Sequence, residues 1–348
     1  MTVPTDESFY MPAEWQHHTR CWMAWPEREE LWGKHLEAAR NAYAEVAHAI
    51  ALFEPVTMIA KSKNVAEVSI RCKGKVNTLA VAHDDSWLRD NGPTFVVNPK
   101  KGVAAIRWQW NAWGNKYPGY ERDALVSEAI LNHLGIRWFN APMVMEGGAI
   151  HVDGEGTLIT TESCLLNPNR NPNMTKRDVE EIFKQYLGIQ KVIWLAGGLQ
   201  DDDTDGHVDE IACFFKPAAL CMLSTPDKSD GNYHVLQENI NRIKAAKDAK
   251  GREFNIVEIE QPAPQNLSDG RRMSLSYLNF YVANGAIIMP SFKDPQDHKA
   301  FEAIGKLFPD RKVLQVPAID IFKGGGGIHC ITQQQPGFVI PNPDVQIK

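Results

Sequence analysis

Along this chain, stretches with apolar residues at helical spacing alternate with short, nearly continuous apolar runs. Residues 34–54 carry Leu36, Ala39, Tyr43, Val46, Ala47 and Ile50 on one face, which predicts an amphipathic helix, and PVTMIA behind them predicts a strand. Four more such pairs follow. Residues 121–134 lead into IRWFN, with Gly135 as the helix stop. Residues 175–187 open on Thr-x-x-Asp, a variant of the capping pattern, and end at Gly188 before KVIWLAG. Residues 233–250 end at Gly251 before FNIVEIE, and residues 295–308 end at Pro309 before KVLQVPA.

Between these pairs lies a second pattern, a polar or glycine-rich opening followed by two strand-like runs joined by a turn. The openings begin at Asp90 (DNGPTFVVNPKKGVAAIRW), Glu146 (EGGAIHVDGEGTLITT), Asp205 (DGHVDEIACFFKPAALCML), Tyr277 (YLNFYVANGAIIMP) and the glycine run of residues 323–330 (KGGGGIHC). Turns are expected at Asn98-Pro99-Lys100-Lys101-Gly102, at Asp153-Gly154-Glu155-Gly156, and at Asn284-Gly285, a two-residue hairpin signal. The order helix, strand, opening, hairpin thus recurs five times. Length alone would favour two domains, but an internal repeat without a low-complexity linker points to one closed α/β assembly over residues 1–348.

If five such units close around an axis, their openings converge, and Asp90, Glu146, His207 with Asp209, Asn279 and Cys330 share one pocket. Each has a plainer reading when taken alone. Glu146 could cap a turn, Asn279 could satisfy buried backbone, and His207 with Asp209 could be a solvated pair. Cys213 and Cys221, inside apolar runs, read as small buried hydrophobes. Cys330 differs, because the four glycines before it permit a close approach of backbone or ligand that a core position does not need. A phosphate loop would require Lys-Ser/Thr after the glycines, where Ile-His stands. Residues 201–206 imitate a calcium loop, but its twelfth position is Ala212 instead of glutamate. Read as strand residues, His207 and Asp209 share a face, whereas His329 and Cys330 point apart. His207 is therefore the better partner for the thiol.

Composition narrows the class. Apolar residues at 43% and charged residues at 23% are ordinary for a globular protein, and a net charge of −6 argues against nucleic acid while permitting a cationic substrate. Six cysteines without C-x-x-C or zinc spacing read as free thiols in a reducing compartment. The N-terminus MTVPTDESFY lacks the features of a secretory signal, and no apolar run is long enough for a membrane span, so the cytoplasm is expected.

The stretches MPAEW (11–15), WMAWP (22–26), DDSWLRDNGPTF (84–95), NAWGNKY (111–117), EGGAIHVDGEGTLITTESCLLNPNRNP (146–172), GHVD (206–209), SYLNFYVANG (276–285) and GGGGIHCITQQQP (324–336) span the chain. In them it resembles the agmatine deiminase family and, more distantly, the bacterial-type peptidylarginine deiminases. The resemblance implies a fivefold pseudosymmetric α/β propeller, the pentein fold, with catalysis at its axis and a homodimer or larger assembly. It matches Cys330 to the nucleophile, His207 to the general acid/base, and Asp90 and Asp209 to the carboxylates that hold a guanidinium. Glu146 corresponds to the acid that orients the histidine, Asn279 to a supporting amide counted with Gly327 among the substrate-binding residues, and Trp87 to a wall of the substrate slot. Gly327 departs from the pattern, since asparagine commonly precedes Ile-His-Cys; this puts in doubt a local hydrogen bond, not the thiol.

The implied chemistry is agmatine deimination to N-carbamoylputrescine and ammonia through an amidino-cysteine, with no metal or organic cofactor. Candidates for the distal end of the substrate are Asp84, Asp85, Trp87, Trp113, Asp205 and Glu210. Deimination of peptidylarginine or free arginine, or guanidine binding without turnover, are the alternatives.

Overall fold

The computed structural model describes residues 2–337, which form sixteen strands in five small sheets. The first unit contributes β1 (His18–Ala24), the helix Leu36–Ile50, β2 (Val56–Ala60) and, through a short helix Val65–Arg71, an additional β3 (Asn77–Ala80). The second holds β4 (Thr94–Asn98), β5 (Gly102–Gln109), the helix Asp123–Leu134 and β6 (Trp138–Val144). The third holds β7 (His151–Val152), β8 (Thr157–Thr161), the helix Lys176–Leu187 and β9 (Lys191–Leu195). The fourth is β10 (Ala212–Lys216), β11 (Ala219–Ser224), the helix Tyr233–Ala245 and β12 (Asn255–Glu260). The fifth is β13 (Tyr281–Ala283), β14 (Ala286–Ser291), the helix Gln296–Leu307 and β15 (Lys312–Pro317), after which β16 (Thr332–Pro336) follows.

Four sheets share one plan: an antiparallel hairpin, then a helix that returns the chain to a third strand lying parallel to the hairpin's second. The remaining sheet has the order β16-β1-β2-β3. Here the partner of the strand after the fifth opening comes from the start of the chain. β16 pairs antiparallel with β1, more than three hundred residues earlier, so the two ends of the chain close the ring. Any second run after β16 lies outside the described residues. The result is a fivefold pseudosymmetric α/β propeller, as expected.

Local chemistry explains the unit. Strands β2, β4 and β8 are buried at every position, the pattern of strands covered on both faces, which is why they read as apolar and threonine runs without charge. The helix Leu36–Ile50 buries Ala39, Tyr43, Val46, Ala47 and Ile50, the predicted stripe. Thr175 and Asp178 form a reciprocal capping box, and Gly188 ends that helix in the left-handed region. In the turns, Asn98 Oδ1 accepts from the amides of Lys100 and Lys101, and Asp153 Oδ1 from those of Glu155 and Thr157. The fourth helix stops at Ala245, short of the expected 250, because Asp248 Oδ1 accepts from Lys250 and Arg252 amides and folds that stretch into a turn. Among the described residues no helix is long and apolar enough to cross a membrane.

Candidate active site

Each opening ends in a tight turn ahead of a strand, and these turns carry the reactive side chains. Asp90 lies in the helical turn Leu88–Asn91, Glu146 precedes the turn Gly147–Ala149, and His207 precedes the turn Val208–Glu210 that contains Asp209. Asn279 and Cys330 each stand two residues before a strand. The strand geometry expected at 207–209 and 329–330 is therefore not found. The turns nonetheless keep His207 and Asp209 together, but His329 and Cys330, expected to point apart, both reach Asp209 Oδ2.

Gly148 shows how closely three units meet. A Cβ there would lie 2.6 Å from His207 Nδ1 and 3.0 Å from both Asp209 Oδ2 and Asp90 Oδ1. Only glycine leaves that point open, and its amide donates to Asp90 Oδ1 at 3.0 Å. Cys330 sits alongside, its Sγ 3.2 Å from Asn279 Nδ2 and 3.5 Å from Asp209 Oδ2. His207 Nε2 is 3.5 Å from Glu146 Oε2 and its Nδ1 is 3.8 Å from Asp90 Oδ1, charge contacts too long to be tight hydrogen bonds. Neither ring nitrogen, nor Asp209 Oδ1, has a hydrogen-bond partner among the described residues. The acidic run that imitated a calcium loop sets this histidine in place: Asp202 Oδ2 accepts from the Gly206 amide at 2.9 Å and from Thr204 Oγ1 at 2.6 Å.

A narrow cavity reaches Cys330 and Asp90 and is walled by Trp87, Trp113 and Asp85. Trp87 is stacked on Trp32, which fixes that wall. Trp113 donates Nε1–H to Asp90 Oδ2 at 3.0 Å. It does so from an unusual backbone, since Ala112, Trp113, Gly114 and Asn115 all have positive φ (51°, 54°, 87° and 61°). A left-handed turn costs roughly 1–2 kcal/mol for each non-glycine residue. Asn111 helps hold it by accepting from the Gly114 amide.

Two expected slot residues lie elsewhere. Asn279 and Gly327 are not on the cavity wall. Asn279 Oδ1 accepts from the His329 amide at 2.9 Å, so it grips the cysteine turn, while Gly327 packs against Asn279 and Phe322 with no room for a side chain. Of the distal-end candidates, Asp84 pairs with Arg122, Asp205 with Lys116 and Arg170, and Glu210 bonds Ser274 in the interior. Tyr117 and Asp203, joined by a 3.0 Å hydrogen bond, line the cavity in their stead and were missed, because an isolated tyrosine and one of several adjacent aspartates carry no distinguishing pattern. Arg170 was missed too. Fully buried, it donates to Glu146 Oε1 (2.8 Å), Asp205 Oδ2 (2.5 Å) and the Thr204 carbonyl (2.8 Å). Its only signal is a lone arginine in the Asn/Pro-rich run NPNRNP.

The charges of the site follow from burial and these contacts. Burial, reinforced by Asp209, Asp90 and Glu210, pushes the Cys330 thiol well above its usual value. Burial opposes a charged His207 but is outweighed by Asp90, Cys164 and Glu146, so the imidazole holds its proton well above the ordinary range. Burial raises Asp90 to about 6 despite His207. In Glu146 burial is outweighed by His207 and Arg170, and in Asp209 by His329 and His207, so both carboxyls stay below their usual range. Glu146, Cys164 and His207 bring their ligand atoms within 4.8 Å of one another. Arg170 already neutralises this carboxylate by donating to Glu146 Oε1, which makes the trio a poor metal site.

A sequence model of Porphyromonas-type peptidyl-arginine deiminases matches residues 10–336. The chain belongs to that deiminase family. Within it, a putative agmatine deiminase of Legionella pneumophila is 47% identical over 338 residues, covering 96% of this chain and 97% of that protein. An agmatine deiminase of Pseudomonas aeruginosa is 41% identical at 96% and 97% coverage. Among solved structures, the agmatine deiminase of Enterococcus faecalis superposes with a TM-score of 0.93 at 32% identity, covering 97% of this chain and 98% of that one.

Proposed function

We propose that this protein is an agmatine deiminase, hydrolysing agmatine to N-carbamoylputrescine and ammonia through an amidino-cysteine at Cys330. The observation that carries the mechanism is the meeting of His207, Asp209 and Asp90 around Gly148 with the Cys330 thiol beside them. A planar guanidinium between Asp90 and Asp209 presents its N–H groups to two carboxylates and its carbon to sulfur. The bound cation offsets the carboxylates that hold the thiol protonated, so Sγ releases its proton to solvent and attacks. His207, protonated in the free site, gives its proton to the leaving nitrogen, and ammonia departs. Neutral His207 then takes a proton from water, which attacks the amidino carbon, and sulfur leaves as the carbonyl forms, the hydroxyl proton passing to sulfur to restore the thiol. Glu146, held by Arg170, steadies the histidine through both steps.

The cavity favours agmatine over free arginine. No lysine or arginine is among the described residues lining it; Arg28 and Arg271 stand behind Asp85 and Asp203 and are paired with them, so an incoming ammonium meets carboxylates and aromatic faces first. The high identity to relatives named agmatine deiminase supports the same choice. Turnover compared across agmatine, arginine and a blocked arginyl peptide tests it, and preference for the peptide would overturn it. Cys330→Ala is expected to lower ureido product formation by at least about 1,000-fold. Near wild-type product from that variant would sink the mechanism, and tight binding with neither cysteine adduct nor ammonia would favour a non-catalytic binder. A cytoplasmic location suits a nucleophile that must stay reduced. Assembly as a homodimer or larger, suggested by the resemblance alone, is checked by light scattering.

A further inference from the structure

His329 takes no part in the steps above, yet it is buried directly behind the cysteine. Its Nδ1 lies 2.8 Å from Asp209 Oδ2 and its Nε2 lies 2.8 Å from Glu14 Oε1. A neutral imidazole has a single N–H and can satisfy one carboxylate; carboxylate oxygens on both nitrogens require both to donate. The ring is therefore an imidazolium. Its charged and titratable neighbours come from five places. Glu14 comes from the N-terminal segment, Arg89 from the turn before β4, His151 from β7, Asp209 from the turn before β10, and Cys330 from its own turn. Arg89 donates Nε–H to the His329 carbonyl at 3.3 Å and lies 3.5 Å from Glu14 Oε1, while His151 Nε2 is 3.7 Å from Glu14 Oε2. Glu14 is the counter-ion that allows a cation to persist here. Asp209 in turn faces His329, His207, Arg89, Asp90, Asp202, Glu210, Cys213 and Cys330. With Oδ2 tied to His329, its Oδ1 is the atom left without a partner among the described residues.

We propose that His329 is a positioning residue: a buried imidazolium, braced by Glu14, that keeps Asp209 ionised and its carboxyl rotation set to receive the substrate guanidinium. The proposal rests on the deiminase reading. It assigns work to the MPAEW segment, whose Glu14 reaches the site through this ring.

The test uses the Cys330→Ser protein, so that binding is read without turnover, with agmatine titrated calorimetrically between pH 5 and 8. In that protein, affinity falls below about pH 6 as Asp90 takes up a proton. With His329→Gln added, the cation that holds Asp209 low is gone and the Asp209 value rises. Binding is then expected to weaken about 10- to 100-fold near pH 6, by analogy with the loss when a hydrogen-bond partner of a metal-ligating residue is removed. The loss should grow as pH falls, with a steeper slope because two carboxylates protonate instead of one. An unchanged affinity, or a loss independent of pH, would overturn the proposal, the latter indicating packing alone. A second measurement needs no substitution that could unfold the protein: ¹⁵N shifts of the His329 ring in the wild-type protein should show both nitrogens protonated at pH 7, and a neutral tautomer there would refute the claim. If Cys330→Ser binds no agmatine at any pH, the substrate reading fails and the ring shifts still judge the imidazolium by themselves.

Discussion

At Gly327, where the resemblance leads one to expect asparagine, the surroundings show what glycine does. A Cβ would run into Asn279 Oδ1 and the Phe322 ring. Asn279 cannot yield cheaply, because that oxygen accepts from the His329 amide while its Nδ2 donates to Cys330 Sγ. The doubt raised by the missing side chain is thereby answered for this chain: Asn279 supplies the local hydrogen bonds, and the Gly327 amide itself helps hold down the thiol's value. Gly327→Asn is expected to displace Asn279 and reduce kcat/KM by at least about tenfold, an interaction loss of about 1.4 kcal/mol or more. Steady-state kinetics with agmatine check this, and an unchanged kcat/KM would show that the turn rearranges freely. Other residues of the site were legible one by one, since Asp90, Glu146, His207, Asp209 and Cys330 stand at matching places in the repeat. Glu14, Arg170, Tyr117 and Asp203 were not, because a single acid, arginine or tyrosine looks the same whether it faces solvent or a buried partner.

At the scale of elements, helix positions followed from apolar spacing and end signals, with boundaries displaced by at most five residues. The larger departures have identifiable causes, such as the Asp248 turn that ends one helix early. The left-handed turn at residues 112–115 could not be foreseen, because three of its four residues are not glycine and local preference opposes it. At the start of the helix Asp123–Leu134, Asp123 accepts from the Asp84 and Asp85 amides and so anchors the loop leading to Trp87 and Asp90. Burial, with Asp85 nearby, raises its carboxyl to about 8. Its folded value thus exceeds the unfolded value near 3.9, and the folded state binds the proton more tightly. The stability it contributes is complete below about pH 4 and is lost as pH rises towards 8. Asp123→Asn keeps an acceptor without the charge. Its Tm is expected to exceed wild type by on the order of a few degrees at pH 8, with the difference vanishing near pH 4. A lower Tm at pH 8 would show that the amides require the ionised form.

For the whole molecule, the decisive contact is β1 between β16 and β2. Removing residues 1–24 would leave two strand edges unpaired in that sheet and take Glu14 from beneath His329. Such a chain is expected to lose its cooperative thermal transition and its turnover, and a two-state melt near the full-length Tm would contradict the role assigned to ring closure. The sequence by itself determined the unit, the five openings and the kinds of reactive group they carry. These depend on periodicity, caps and turns, which are properties of near neighbours. Only the tertiary structure decided that the ends of the chain pair with each other, that Arg170 braces Glu146, and that His329 lies between Asp209 and Glu14. The last two partners are 120 and 315 residues from His329 in sequence. Charges so far apart in the chain become neighbours only when the ring is closed, and burial there sets which of them hold their protons.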